Sequence, residues 1–436
     1  PSDMMASVLI PLVKNKAGDI TSKDNYRPIA IATTISKLVE IVILNRCEDL
    51  LLTTDNQFGF KKSHSTDLCL FSFRQVIEYY KKHTSPVFIC FLDASKAFDR
   101  VNHWTLFKKL IDRKLPLYIV RLLAYCYSNQ TFCTQWGSTI SSSFNVSNGV
   151  KQGGILSPFL FNVYIDDLSI LLLESKIGCN YNNSFVNHLG YADDMSLLSP
   201  SASGLQKLLD ICASYAAEHD ILYNVIKTVC MVIQPSKFKL SRYPNVYLNG
   251  RGLKYVESYN YLGFVVSIVN DNDDIKRQMR NLIIRANMLI RVFSNCSVGT
   301  KISLFQSFCT NIYCIQLWSN FSTTVYNKIK ITYNNAFRRL FNLDRFCSAS
   351  GMFASSSVVS FSELCRLSQY SFIKRVYSSK NTVVNCFTSS YFILHSHQWQ
   401  LWYCCLYMFY VGCLFNPFMS FVCLIVGVFV GVSVGV

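Results

Sequence analysis

Zinc-site and disulfide signatures are both missing from this chain of 436 residues. Its 18 cysteines form no C-x-x-C pair, and none stands at finger or knuckle spacing from a histidine. Many sit inside apolar runs, as Cys69, Cys90 and Cys230 do, and read as buried thiols of a reducing compartment. There is no secretory leader, and the chain opens on Pro1 instead of Met, so it is expected to be one segment of a longer reading frame. No internal repeat is visible. Charge is missing from one end only: no Asp, Glu, Lys or Arg occurs after Lys380. Two apolar runs there, LWYCCLYMFYVGCLF and FMSFVCLIVGVFVGVSVGV, have the composition of membrane segments. Translated T- and G-rich flanking DNA has the same composition. Residues 401–436 thus stay open between a membrane anchor and read-through, with read-through slightly favoured.

What is present is basic. A formal net charge of +16, all of it carried by the first 380 residues, points to an anionic partner, and nucleic acid is the commonest. A merely basic, soluble surface is the plainer alternative. At roughly 100 to 200 residues per domain, the length predicts two or three units.

Along the chain, ASVLIPLVK is an extended start, and SKLVEIVILNRCEDLLL places Leu38, Ile41 and Val42 at helical spacing. After a loop, TTDNQFGFKKSHSTD, a second helix ends near Lys82. PVFICFLD is a short, continuously apolar run that reads as a buried strand ending in an acid. NHWTLFKKLIDR is helical, and SSFNVSNGVKQGGILSP is strand, turn and glycine-rich loop. Ser157 followed by Pro158 predicts a helix start, with Ser157 as the cap.

Two look-alike acidic doublets follow, YIDDL from Tyr164 and YADDM from Tyr191. The first falls inside the helix that starts near Pro158. Neighbouring helical residues diverge by about 100°, so Asp166 and Asp167 cannot serve one small site and read as structural. The second lies between short strand-like runs and caps a hairpin with its carboxylates. If that hairpin lies beside the strand ending at Asp93, then Asp93, Asp193 and Asp194 converge. Such a cluster requires positive compensation, which hard divalent cations supply. Beyond it come a helix, SGLQKLLDICASYAAEHD, a strand, KTVCMVI, a further β region to about residue 265, and a basic, mainly helical segment from about Asp273 to Leu343.

Seven ordered stretches resemble the reverse transcriptases of non-LTR (LINE-type) retrotransposons: NYRPIAIATTISKLVEIVI, NQFGFKKSHSTD, FLDASKAFDRVNH, SNGVKQGGILSPFLFNVYIDDL, LGYADDMSLL, YNVIKT and YLG, covering roughly residues 1–265. The resemblance implies an α+β right-hand polymerase fold. It places fingers in 1–85, palm in 86–265 with some finger elements interleaved, a thumb-like basic helical region in 266–350, and a C-terminal tail in 351–436. It implies an RNA-directed DNA polymerase that extends a primer 3′-hydroxyl with dNTPs on an RNA template, using two Mg²⁺ ions, with Mn²⁺ as a substitute. Its partners would be the RNA template, the DNA primer and their hybrid. Nucleus or cytoplasm is the expected location, or a membrane if the tail is genuine. The rivals are a group II intron-type reverse transcriptase and maturase, or an inactive nucleic-acid-binding remnant.

Carried over by motif, the resemblance makes Asp93 and Asp193 metal ligands, Asp194 their auxiliary, and Ala94 a backbone ligand. Lys227 becomes the proton donor to departing pyrophosphate, with a surface lysine as the plain alternative. Lys14 and Arg27 would hold the triphosphate, Arg27 being suited to bidentate phosphate contact. Phe98 would exclude a ribose 2′-hydroxyl, against a plain core role. Gln152 and Gly153 would meet the nucleotide, and Gly149, Gly154, Ser157 and Pro158 the template and nascent pair. Lys61 stands where the family usually has Arg, as a weakened template contact. Tyr261, Leu262 and Gly263 would grip the primer, while Lys276, Arg277 and Arg280 lie along the duplex backbone, against a solvated helix face. Asp99 and Arg100 read as a local structural pair.

Overall fold

The computed structural model of the chain describes residues 2–16, 18–235, 240 and 242–388. The two apolar C-terminal runs lie outside these residues, as does any membrane role for 401–436. Among the described residues no helix is long and apolar enough to cross a membrane. The chain divides into two compact units, Pro1–Val256 and Glu257–Val436.

The first unit is α+β and is organised on a five-stranded sheet. In spatial order its strands are Lys254–Tyr255, Val229–Ile233, Val87–Leu92, Asp194–Ser199 and His188–Tyr191. The central strand, Val87–Leu92, is antiparallel to both neighbours. It is apolar at every position because both of its faces are covered. Phe88, Cys90 and Leu92 enter the main core with Leu160 and Leu168 of helix Ser157–Glu174 and Leu205 and Leu209 of helix Ala202–Glu218. On the opposite face Phe91 meets Phe73 of helix Thr66–Lys82, ring centroids 5.9 Å apart. Fully burying side chains of this size contributes about 1.5–3 kcal/mol each, which makes this strand the anchor for whatever its end carries.

A second sheet runs Tyr26–Ala32, Ala6–Val13, Thr131–Trp136 and Thr139–Ile140, with Phe144–Asn145 also paired to the third of these. Tyr26–Ala32 and Ala6–Val13 form an antiparallel pair, Leu12 opposite Arg27.

Two local expectations change. The helix over SKLVEIVILNRC exists, as Thr34–Cys47, but it buries Ser36, Ile43 and Cys47 and leaves Leu38 and Val42 about half exposed. Ser157 is not a cap. It is the first residue of its helix, Leu156 precedes it, and Pro158 follows within the first turn. The backbone N–H groups of Ile155 and Leu156 donate to the Glu40 carboxylate at 2.6 and 3.1 Å, so an acid from another helix does the capping.

The second unit begins with the hairpin Ser258–Tyr261/Phe264–Ser267 and continues through helices Asn272–Phe293, Val298–Phe308 and Thr323–Leu340. Helices Ala349–Ser355, Phe361–Tyr377 and Thr382–Thr388 extend it. Residues 351–388, expected to start the tail, are therefore folded, with Phe361, Phe372 and Val376 buried.

Candidate active site

The central strand ends at Leu92, which pairs with Met195 of the neighbouring strand. Continued by one residue, that antiparallel register sets Asp93 opposite Asp194. Asp194 in turn pairs with Tyr191 across the hairpin, leaving Ala192 and Asp193 as its turn. Ala192 is left-handed there, φ +56°. Strand register thus sets Asp93 opposite Asp194 and leaves Asp193 in the adjoining turn.

The segment beyond Asp93 is tied to the loop before strand Val229–Ile233. The Asp93 N–H donates to Thr228 Oγ1 at 3.2 Å, and its C=O accepts from Asn224 N–H at 2.8 Å. Ser95 N–H donates to Leu222 C=O, so Ala94 and Tyr223 form the non-hydrogen-bonded pair between those two bonds. In such a pair the Ala94 carbonyl points away from Tyr223, as a backbone ligand requires.

All three carboxyls are held above the usual carboxylate range. For Asp93 the cause is burial, opposed by Lys227 and then Lys14. Asp193 is raised by desolvation, against which its own backbone N–H and Arg27 act, while Asp93 adds to the rise. Asp194 is pushed up to about 6, by desolvation first and then by Asp193 and Asp93, with Arg27 opposing. Asp193 and Asp194 are open to solvent in area, but the surrounding protein displaces enough water to disfavour their charged forms. Three cations act on this cluster electrostatically: Lys227 and Lys14 on Asp93, and Arg27 on Asp193 and Asp194. Lys14 Nζ donates to Asp24 C=O at 3.0 Å, and Asp24 pairs with Lys96 at 3.1 Å.

Among the described residues no group of three or more His, Cys, Asp or Glu side chains is gathered tightly enough to hold a metal ion. The chemistry of the donor set nevertheless fits one. Hard oxygen ligands that repel one another are what a divalent cation neutralises.

The loop carrying NQFGF braces this hairpin. Phe58 N–H donates to Gly190 C=O and Gly190 N–H to Asn56 C=O, both at 2.8 Å, so the loop runs along the hairpin as a short parallel strand. The Gln57 side chain reaches the turn itself. Its Oε1 accepts from Ala192 N–H and Gly59 N–H, each at 2.9 Å, and its Nε2 donates to Ala192 C=O at 3.2 Å. Sequence reasoning quoted this motif without singling out Gln57. Its only local signal is an amide between Asn56 and Phe58, two residues before Gly59.

A pattern described as "Reverse transcriptase (RNA-dependent DNA polymerase)" matches residues 13–266. The chain belongs to the reverse transcriptase family. It is 26% identical over 336 residues to the "RNA-directed DNA polymerase from mobile element jockey" of Drosophila melanogaster, covering 73% of this chain and 36% of that protein. To the "Retrovirus-related Pol polyprotein from type-2 retrotransposable element R2DM" of the same species it is 28% identical over 255 residues, 56% and 24% of the two chains. A telomerase from Candida Tropicalis, solved with a fragment of telomeric RNA, is similar at TM-score 0.45 and 13% identity, over 88% of this chain and 60% of that one. The chain spans about a third of the length of the jockey-type relatives. Such names agree with the non-LTR (LINE-type) resemblance of the motifs and do not favour the group II intron alternative.

The remaining residues fall into distinct settings. In the glycine-rich loop, Gly149 and Gly153 have φ of +88° and +119°. A Cβ on either would sit 2.8 Å from Asp99 Cα or 2.6 Å from Ala30 C=O, so their need for glycine is already met within the chain. A Cβ on Gly154 would stand 2.5 Å from Ser157 Oγ. Gln152 Nε2 donates to Asp99 Oδ1 at 2.8 Å, which corrects the Asp99–Arg100 pairing; Arg100 Nε is buried with no partner among the described residues. Phe98 is half-buried and stacks on Phe161 at 4.5 Å. Ser157 is buried and bonded to Tyr127. Lys61 spends its ammonium on its own loop, donating to Thr53 C=O at 2.8 Å, Thr54 C=O at 2.9 Å and Asp55 at 3.4 Å.

YIDDL is structural, as its helical placement predicts. Asp166 accepts from Thr54 N–H at 2.8 Å, Thr54 Oγ1 at 2.9 Å and Arg113 at 2.5 Å, and Asp167 pairs with Lys109. In the second unit, Leu262 and Gly263 form a two-residue turn with φ +47° and +76°. Tyr261 is buried beside it. The Leu262 carbonyl accepts from Tyr313 at 2.7 Å, and the Gly263 carbonyl from Arg277, which also pairs with Asp274 at 2.7 Å. Lys276 pairs with Asp273 at 3.1 Å, and Arg280 is exposed.

Proposed function

We propose that this chain is the RNA-directed DNA polymerase of a non-LTR retrotransposon, extending a DNA primer on an RNA template. The observation that supports it best is the register that sets Asp93 opposite Asp194, with Asp193 in the adjoining turn. In this reading Asp93, Asp193, Asp194 and the Ala94 carbonyl hold two Mg²⁺ ions, which when bound offset charge on the attacking hydroxyl and the transferring phosphate. Arg27 and Lys14 orient the triphosphate and neutralise it. Lys227, beside Asp93, delivers a proton to the departing pyrophosphate. Phe98 closes the sugar side of the nucleotide site, while Gln152 and the glycine-rich loop face the nascent pair. Tyr261–Gly263 and the helix Asn272–Phe293 hold primer and hybrid, the latter read by shape more than by sequence.

Primer extension on poly(rA)/oligo(dT) with Mg²⁺ tests this. The full chain is expected to extend the primer, and Asp193→Asn to lower kcat by at least about 100-fold while hybrid binding stays within about twofold. Tight hybrid binding without extension by the unaltered chain, in Mg²⁺ or Mn²⁺, would favour the inactive remnant instead.

A further inference from the structure

The turn that presents Asp193 is not self-sufficient. Its Ala192 is left-handed, a conformation that L-residues hold only when their surroundings enforce it. A two-residue hairpin turn usually solves this with Asn or Gly, and neither is present. The enforcement comes from one side chain of a loop more than a hundred residues away. Gln57 is 5% exposed, and its carboxamide takes both polar groups of the Ala192 backbone: the N–H on Oε1 and the C=O on Nε2.

The neighbours are cut to fit this arrangement. At Gly190 an added Cβ would stand 3.1 Å from Gln57 Nε2, and at Gly59 it would stand 2.3 Å from Ala192 N. Gly59 N–H also donates to Oε1, holding the amide's orientation. Only an amide of this length serves. A carboxylate accepts but cannot donate to the Ala192 carbonyl, and it would add a negative charge beside three carboxyls. An apolar chain of equal length makes neither bond.

We propose that Gln57 is a positioning residue for polymerisation, its carboxamide fixing the Ala192–Asp193 turn so that Asp193 faces Asp93. The inference rests on the polymerase reading above and deepens it. Gln57 touches no reacting atom; it acts through the backbone that carries Asp193.

The test uses the full chain with Gln57→Met, which keeps the length and removes both bonds, and Gln57→Glu, which keeps the acceptor only. Hydrogen exchange of a peptide spanning residues 188–195, followed by mass spectrometry without metal or substrate, reads the turn directly. Gln57→Met is expected to exchange about 10-fold faster there, with far-UV circular dichroism unchanged. Mn²⁺ binding followed by electron paramagnetic resonance should weaken, and kcat should fall by about 10- to 100-fold, while hybrid Kd and the KM for dTTP stay within about twofold. Gln57→Glu should keep most of the exchange protection and still lose about fivefold or more in kcat. Should Gln57→Met fail to fold, Gln57→Glu decides by itself. Unchanged kcat in the folded variant overturns the proposal. So does a loss of hybrid binding that matches the loss of kcat with exchange at 188–195 unaltered, since that describes general structural support. Absence of extension by the unaltered chain would count against the polymerase reading instead, and the exchange measurement would still report on the turn.

Discussion

Asp166 and Asp193 occupy the same place in two nearly identical pentapeptides and have opposite settings. Asp166 is 4% exposed and receives three donors, one of them a guanidinium. Asp193 is accessible, and its carboxyl is held above the usual carboxylate range by desolvation, with Asp93 adding to the rise. Removing one partner of a buried ion pair strands the other, so Asp166→Ala is expected to cost about 3 to 5 kcal/mol of stability. Urea denaturation would show it, and kcat of the folded fraction should stay near that of the unaltered chain. A variant that is stable yet inactive would move Asp166 into the chemistry. Phe98 poses a different question at the same scale, because its stacking on Phe161 serves both a core role and a wall role. Under the wall reading, Phe98→Ala raises kcat/KM for UTP relative to dTTP by about 10-fold or more, the value of a lost steric contact of one to two kcal/mol. An unchanged ratio together with a lower melting temperature would leave it as core.

At the scale of elements, what could be read from the chain was set by periodicity and what could not was set by partners. The strand Val87–Leu92 and the hairpin around Ala192 announce themselves through unbroken apolar runs that stop at acids, and both fold as read. Helix Thr34–Cys47 was legible as a helix but not in its orientation. With apolar residues on nearly every side, its own pattern does not choose between the Leu38–Val42 face and the Ile43–Cys47 face, and packing chose the second. The Gln57 clamp and the Glu40 cap were invisible because each partner is far away in sequence. The edge strand His188–Tyr191 shows the same dependence on distant groups. His188 Nδ1 lies 2.8 Å from Asn187 Oδ1 and its Nε2 lies 2.5 Å from Ser169 Oγ, all of them buried. Burial depresses its pKa from 6.5 to about 3. The unfolded chain therefore binds one proton more between these values. Its contribution to stability is complete above about pH 6.5 and falls as pH drops, by about 1.4 kcal/mol per unit and about 2 kcal/mol at pH 5. The urea midpoint of the unaltered chain should thus fall more between pH 7 and pH 5 than that of His188→Asn; equal falls would mean that the imidazole charges within the fold.

For the whole molecule, a charge of +16 becomes informative only when the cations already committed to the chain are separated from those that remain available. Lys61, Arg113 and Arg277 are bonded to carbonyls and carboxylates of their own units, and Lys109 to Asp167. They contribute to the net charge without offering it to a ligand. Helix Asn272–Phe293 shows the distinction within a single turn: Arg277 ties the Leu262–Gly263 turn to Asp274, whereas Arg280, three residues on, is exposed. If this helix lies along a hybrid, binding weakens linearly in log Kd against log salt, with a slope near 0.7 to 0.9 per phosphate neutralised. Arg280→Ala should then reduce that slope by about one and weaken binding of unrelated hybrid sequences alike. Arg277→Ala should act differently, lowering stability through its lost bonds to the hairpin and leaving the slope less affected. Hybrid Kd measured between 50 and about 300 mM KCl separates the two. A slope unchanged by Arg280→Ala would make that face a solvated one and leave the hybrid to be held by other cations of the chain.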